Sequence, residues 1–180
     1  MTEHASPELL NYKERLMNRR QLIGTIGLAT VLRAASPMRD RFIGVWTLIS
    51  CKRTFKDGRV TYPYGEKPVG RITYDKAGRM SAQLMRPGRH STVPPGITLI
   101  DGKASADEIR EAVTGFTSYF GKFDVEESSN TVIHHVEACL IPSWVGTNLK
   151  RTYRFDSNRL FLTAAVLNSV TELTWQREPD

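Results

Sequence analysis

From Pro37 onward the chain alternates short runs of apolar and polar residues with turn signals almost to its end. Period-two alternation predicts strands at 42–53, 60–62, Val69–Tyr74, Arg79–Met85, 120–126, 131–140, 148–155, 160–165 and 172–177. The breaks between them carry turn chemistry: Asp57-Gly58, Asp75 to Gly78, Ser128-Ser129-Asn130, Asp156-Ser157-Asn158 and Leu167-Asn168-Ser169. Two of these strands flank a four-residue turn ending in Gly78, the mark of an antiparallel hairpin. Eight or nine strands at this spacing predict an all-β fold, an antiparallel sandwich or barrel.

One segment breaks the rhythm. Ser105 followed by Glu108 forms a capping box, and behind it Ile109, Ala112, Val113, Phe116 and Phe120 share one helical face. The preceding stretch, 86–103, holds Pro87, Pro94, Pro95 and several glycines, so it reads as a long loop. Loop and helix together suit either a lid over a barrel opening or a cover for a sheet edge.

The longest distinctive string runs from Tyr62-Pro63-Tyr64-Gly65 through the hairpin to Arg89. Together with Phe42-Ile43-Gly44-Val45-Trp46, His134 to Glu137 and Trp144 to Thr147, it resembles the bacterial and fungal lipocalin-like domain family over about residues 41–177. The resemblance implies a closed antiparallel β-barrel with one accessory α-helix. It also implies that Trp46 of the Gly-x-Trp frame fills the closed end, with Arg177 of the last strand across its indole. An Arg on an indole face is worth about 0.5–2 kcal/mol. The fold hosts binders and enzymes alike, so function has to be argued from the site.

Composition is that of an ordinary soluble globular chain, 40% hydrophobic and 24% charged, which leaves a core of normal size. The net charge of +6 is spread without a basic run, so no nucleic-acid partner is expected. The N-terminus differs. Arg19-Arg20 precedes the apolar run 22–32, too short to span a bilayer but suited to a signal-peptide core. The chain therefore divides into a leader, 1–37, resembling a twin-arginine export signal, and a barrel domain, 38–180. Export predicts a periplasmic or secreted protein; the poor match of Arg33-Ala34-Ala35-Ser36 to a cleavage site keeps a cytoplasmic location as the alternative. Cys51 and Cys139 lie in separate strands and are expected as free, partly buried thiols.

Phasing each strand by its apolar members sorts the polar candidates. Arg151 shares a face with Leu149, Tyr153 and Phe155, so it points inward and suits a ligand carboxylate or enolate. A register that leaves Arg151 in water beside Lys150 and Arg154 is the competing reading. His134 shares a face with Val132, Val136, Ala138 and Leu140, while His135 lies outside with Glu137. An inward imidazole can move a proton near neutral pH, or it can be a satisfied core group. Tyr74, Gln83, Tyr119, Trp144 and Tyr153 complete the expected lining.

Familiar signatures for phosphate, dinucleotide, zinc or nucleophile-elbow chemistry are not found in the sequence, so neither cofactor nor metal is expected. The first functional expectation is binding of a small, largely apolar or aromatic molecule inside the barrel. The alternative is a cofactor-independent isomerase, cyclase or lyase of secondary metabolism, in which His134 moves a proton and Arg151 or a tyrosine steadies the oxyanion. The family resemblance supports this alternative through relatives in biosynthetic settings. The sequence leaves a homo-oligomer open.

Overall fold

A computed structural model describes residues 37–90, 102 and 104–179. Leader residues 1–36 and most of the 86–103 loop lie outside these residues. A short helix α1 (Pro37–Phe42) leads into β1 (Gly44–Phe55), followed by β2 (Val60–Thr61), β3 (Val69–Tyr74) and β4 (Arg79–Met85). After the loop come α2 (Ala106–Val113), β5 (Phe116–Glu126), β6 (Thr131–Cys139), β7 (Asn148–Asp156), β8 (Arg159–Val166) and β9 (Ser169–Arg177).

Every neighbouring pair is antiparallel, and β1 closes the sheet by pairing with β3 on one edge and β9 on the other. The result is a closed eight-stranded barrel, with β2 adding a short pairing to the far end of β1. Closure leaves no long unpaired edge, which is how an all-β domain of this size avoids edge-to-edge association.

The closed end is built as the Gly-x-Trp frame implies. Trp46 is buried, its indole N–H donates to the Phe42 carbonyl at 2.8 Å, and the Arg177 guanidinium lies 4.1 Å from the ring centroid. The glycine has its own reason. Gly44 sits at φ +132°, and a Cβ there would stand 2.6 Å from Arg177 Nη1. Only a residue without a side chain lets the guanidinium cross at that point. Phe42, expected as the start of a strand, instead ends α1 and plugs the barrel edge-on against Tyr74, Tyr153 and Phe155.

Two irregularities decide which side chains face in. In β1 the register with β9 shifts between Leu48 and Ser50, so Trp46 and Leu48 point inward before the shift and Cys51, Arg53 and Phe55 after it. In β6 the register with β5 skips Glu137, since Gly121 pairs with Val136 and Phe120 with Ala138. Each extra residue reverses the alternation beyond it. His134 and Val136 therefore face the core as expected, but Ala138 and Leu140 do not continue that face. Cys139 packs against the core instead.

The helix is shorter than the apolar period suggests. It ends at Val113, Gly115 follows at φ +73°, and Phe116 and Phe120 belong to β5. Its capping box at Ser105 and Glu108 is present as the sequence predicts.

Candidate functional site

The barrel encloses a cavity of about 450 Å³, within the range of small-ligand sites. Its walls are mostly apolar: Ile72, Leu84, Leu162, Ala164, Leu173 and Trp175 among them. It reaches the surface beside Val166 and Leu167, the latter 95% exposed at the β8–β9 turn. Trp144, in a short 3-10 turn between β6 and β7, stands in the lining as the sequence suggested. Helix α2 contributes no residue to the lining, and the lid expectation for the loop before it falls mostly outside the described residues.

His134 is the polar centre of the inner wall. It is 1% exposed, and both ring nitrogens are engaged: Nε2 with the Tyr74 hydroxyl at 2.8 Å and Nδ1 with the Tyr119 hydroxyl at 3.0 Å. β3, β5 and β6 each supply one member of this triplet, so it exists only because the barrel brings those strands together. Burial, with the nearby Arg151 and His135 charges adding to it, pushes the His134 pKa down to about 3. The imidazole is neutral at physiological pH and holds one proton. Burial also raises both tyrosines, Tyr119 to about 12 and Tyr74 well above its ordinary value, so both stay as phenols.

Arg151 faces the cavity from β7. Among the described residues its side chain makes one hydrogen bond, to the neighbouring Lys150 carbonyl at 2.9 Å. Arg53, which period-two phasing from Trp46 and Leu48 places outside, also lines the cavity and donates through Nε to Thr171 Oγ1 at 3.1 Å. No carboxylate lines this space among the described residues. Tyr64 and Thr117 share a hydrogen bond of 2.6 Å on the same wall. Cys51 is a free buried thiol in the lining, its pKa raised to about 11 by burial.

Three expected lining residues sit elsewhere. Gln83 lies on the outer face of β4, because Met80, Ala82 and Leu84 take the inward positions; it borders a shallow outer hollow with Arg71 and Phe116. Tyr153 points inward but two residues nearer the closed end than Arg151, a displacement of about 7 Å along a strand. There it packs on Phe42 and Phe155, and its buried hydroxyl has no hydrogen-bond partner among the described residues. Tyr74 reaches the site only through His134. The outward His135 pairs across strands with Asp124 and Asn148, at 3.1 and 2.7 Å, and not with Glu137.

Sequence reasoning missed Arg53, Cys51, Tyr64 and Thr117. A signal for two of them was present: Cys51 and Phe55 repeat on the odd positions after Leu48, the phase of Arg53.

Residues 43–178 match the family profile described as a lipocalin-like domain. The chain belongs to the lipocalin-like domain family. A curated relative of this lipocalin-like protein is the 4'-hydroxy-3'-methoxypropiophenone carrier protein ppsC of Aspergillus oryzae, 31% identical over 112 residues, 56% of this chain and 97% of the relative. Among solved structures, a redesigned β-barrel aligns over 78% of the lipocalin-like chain and 94% of its own length, at 13% identity and a TM-score of 0.39. Among the described residues no helix is long and apolar enough to cross a membrane, and no group of three His, Cys, Asp or Glu side chains is placed to hold a metal ion.

Proposed function

We propose that the protein is a carrier for a small, largely apolar molecule with an aromatic body, taken up in the barrel cavity. The observation that carries this reading is the 450 Å³ cavity with apolar walls and a small polar wall formed by Tyr119, His134 and Arg151. That composition suits an aromatic ring with one oxygen function. The similarity to a protein named as the carrier of an aryl ketone supports the same class of ligand.

Trp144 and Trp175 both line the cavity, so binding can be followed by their fluorescence. Titration with 4'-hydroxy-3'-methoxypropiophenone and simpler aryl ketones is expected to give saturable quenching and a mass increase in native mass spectrometry. A carrier releases the same molecule it took up. Conversion of the bound ketone, lost in His134→Gln with folding intact, would instead support the isomerase, cyclase or lyase alternative. A role in secondary metabolism and export through a twin-arginine signal at residues 1–37 belong to this proposal and rest on the sequence.

A further inference from the structure

The polar wall of the cavity has a direction. Tyr74's hydroxyl is fully buried among the rings of Phe42 and Phe123, and its one polar partner among the described residues is His134 Nε2. A buried O–H with a single available acceptor gives its proton to that acceptor. Tyr74 therefore donates to Nε2. The neutral imidazole then carries its proton on Nδ1, an assignment made by this hydrogen-bond accounting. Nδ1–H donates to the Tyr119 oxygen. Among the described residues Tyr119 has no other partner, and it lines the cavity, so its own O–H is left for whatever the cavity holds.

Arg151 stands in the same field. Its charge acts on Tyr119, His134, Tyr74 and Tyr64, and its guanidinium spends one N–H on a backbone carbonyl. With no carboxylate in the lining among the described residues, its charge is not neutralised there. Arg53 adds a second positive charge, partly committed to Thr171.

We propose that the Tyr74–His134 relay makes Tyr119 an obligate hydrogen-bond donor. Tyr119 and Arg151 together then select apolar molecules that end in an acceptor-only oxyanion, a phenolate or a carboxylate, over their neutral ethers and esters. The proposal rests on the carrier reading and sharpens it by naming the polar end of the ligand. Tyr119 and Arg151 touch the oxygen; Tyr74 and His134 are positioning residues that act through Tyr119.

The test uses calorimetric titration of the full chain in mildly alkaline buffer with two matched pairs: para-butylbenzoate against its methyl ester, and para-nitrophenolate against para-nitroanisole. At least one anion is expected to bind about tenfold or more tightly than its neutral partner. The pair with the larger preference identifies the source of the oxyanion. Tyr119→Phe and Arg151→Met are each expected to remove most of that preference, the anion losing more affinity than its neutral partner. Tyr74→Phe, which touches no ligand, frees Nε2 and lets the relay reverse, so it too should lower the preference while its circular dichroism stays native. Neutral partners that bind as well as the anions would overturn the proposal and leave the carrier reading standing. A Tyr74→Phe variant with the full preference would overturn the relay. Failure of all four probes and of the aryl ketones would overturn both readings.

Discussion

Arg177 lies across the indole of Trp46, 4.1 Å from the ring centroid, and also caps the barrel's closed end by donating to the Ile43 and Arg41 carbonyls. Removing the side chain loses the ring contact and leaves two carbonyls short of a partner. Arg177→Ala is expected to lower stability by about 2–3 kcal/mol. Urea unfolding should show the loss, while ligand affinity at the opposite end stays unchanged.

His134 couples stability to pH. Its folded pKa, about 3, is far below the ordinary value of 6.5, so the unfolded chain binds a proton in a range where the folded chain does not. Stability is therefore fully present above about 6.5 and falls as pH drops toward 3, with a limiting slope of roughly 1.4 kcal/mol per pH unit. Asp75 and Glu178, whose pKa values are lowered by hydrogen bonds and Arg partners, lose their contributions at more acid pH, below the ordinary carboxylate values. Denaturant midpoints across mildly acid pH should show this slope in the wild type and lose it in His134→Gln. An unchanged slope in the variant would remove the assignment to His134.

Gly121 sits where β5 passes the bulge in β6. A Cβ there would come 1.9 Å from the His135 carbonyl oxygen, a backbone atom that cannot swing aside. Gly121→Ala is expected to cost about 1–3 kcal/mol or more. A normal melting temperature in this variant would mean that the bulge at Glu137 is absent.

Cys51 reports on the cavity from inside. Its thiol is buried and held as the neutral form at pH 7, so the native protein should react with a disulfide reagent far more slowly than the unfolded chain. Saturating ligand should slow labelling of Cys51 further. Mass spectrometry can separate it from the less buried Cys139.

Two truncations divide the leader from the fold. A chain starting at Pro37 keeps Phe42, and under the export reading it should melt within a few degrees of the full chain. A chain starting at Ile43 loses the Phe42 plug, fully buried against Tyr74, Tyr153 and Phe155, and should be less stable by about 3–5 kcal/mol. A large loss in the first truncation would count against a removable leader. Replacing both Arg19 and Arg20 by Lys, followed by fractionation, tests the export route itself.

Much of this protein was legible in one dimension. The hairpin Val69–Tyr74 and Arg79–Met85, the remaining strands to within a few residues, the capping box and the inward phase of His134 follow from local alternation and turn chemistry, whereas alternation left Arg151 an inward and an outward register and the structure takes the inward one. The Trp46–Arg177 contact was legible from the family resemblance. What alternation does not carry is the point where it reverses. The shifts near Ile49 and at Glu137 depend on how β1 and β6 register with partners far away in the chain, and those registers turn Cys51, Arg53 and Cys139 inward. Depth is likewise invisible to a period of two: Tyr153 and Arg151 share a face, yet one ends in the plug and the other in the cavity. The Tyr74–His134–Tyr119 chain is the clearest case. Its members stand 60 and 15 residues apart, and only closure of the barrel sets two phenols on one imidazole. Local sequence decides which side chains turn inward between irregularities; strand pairing decides which of them meet.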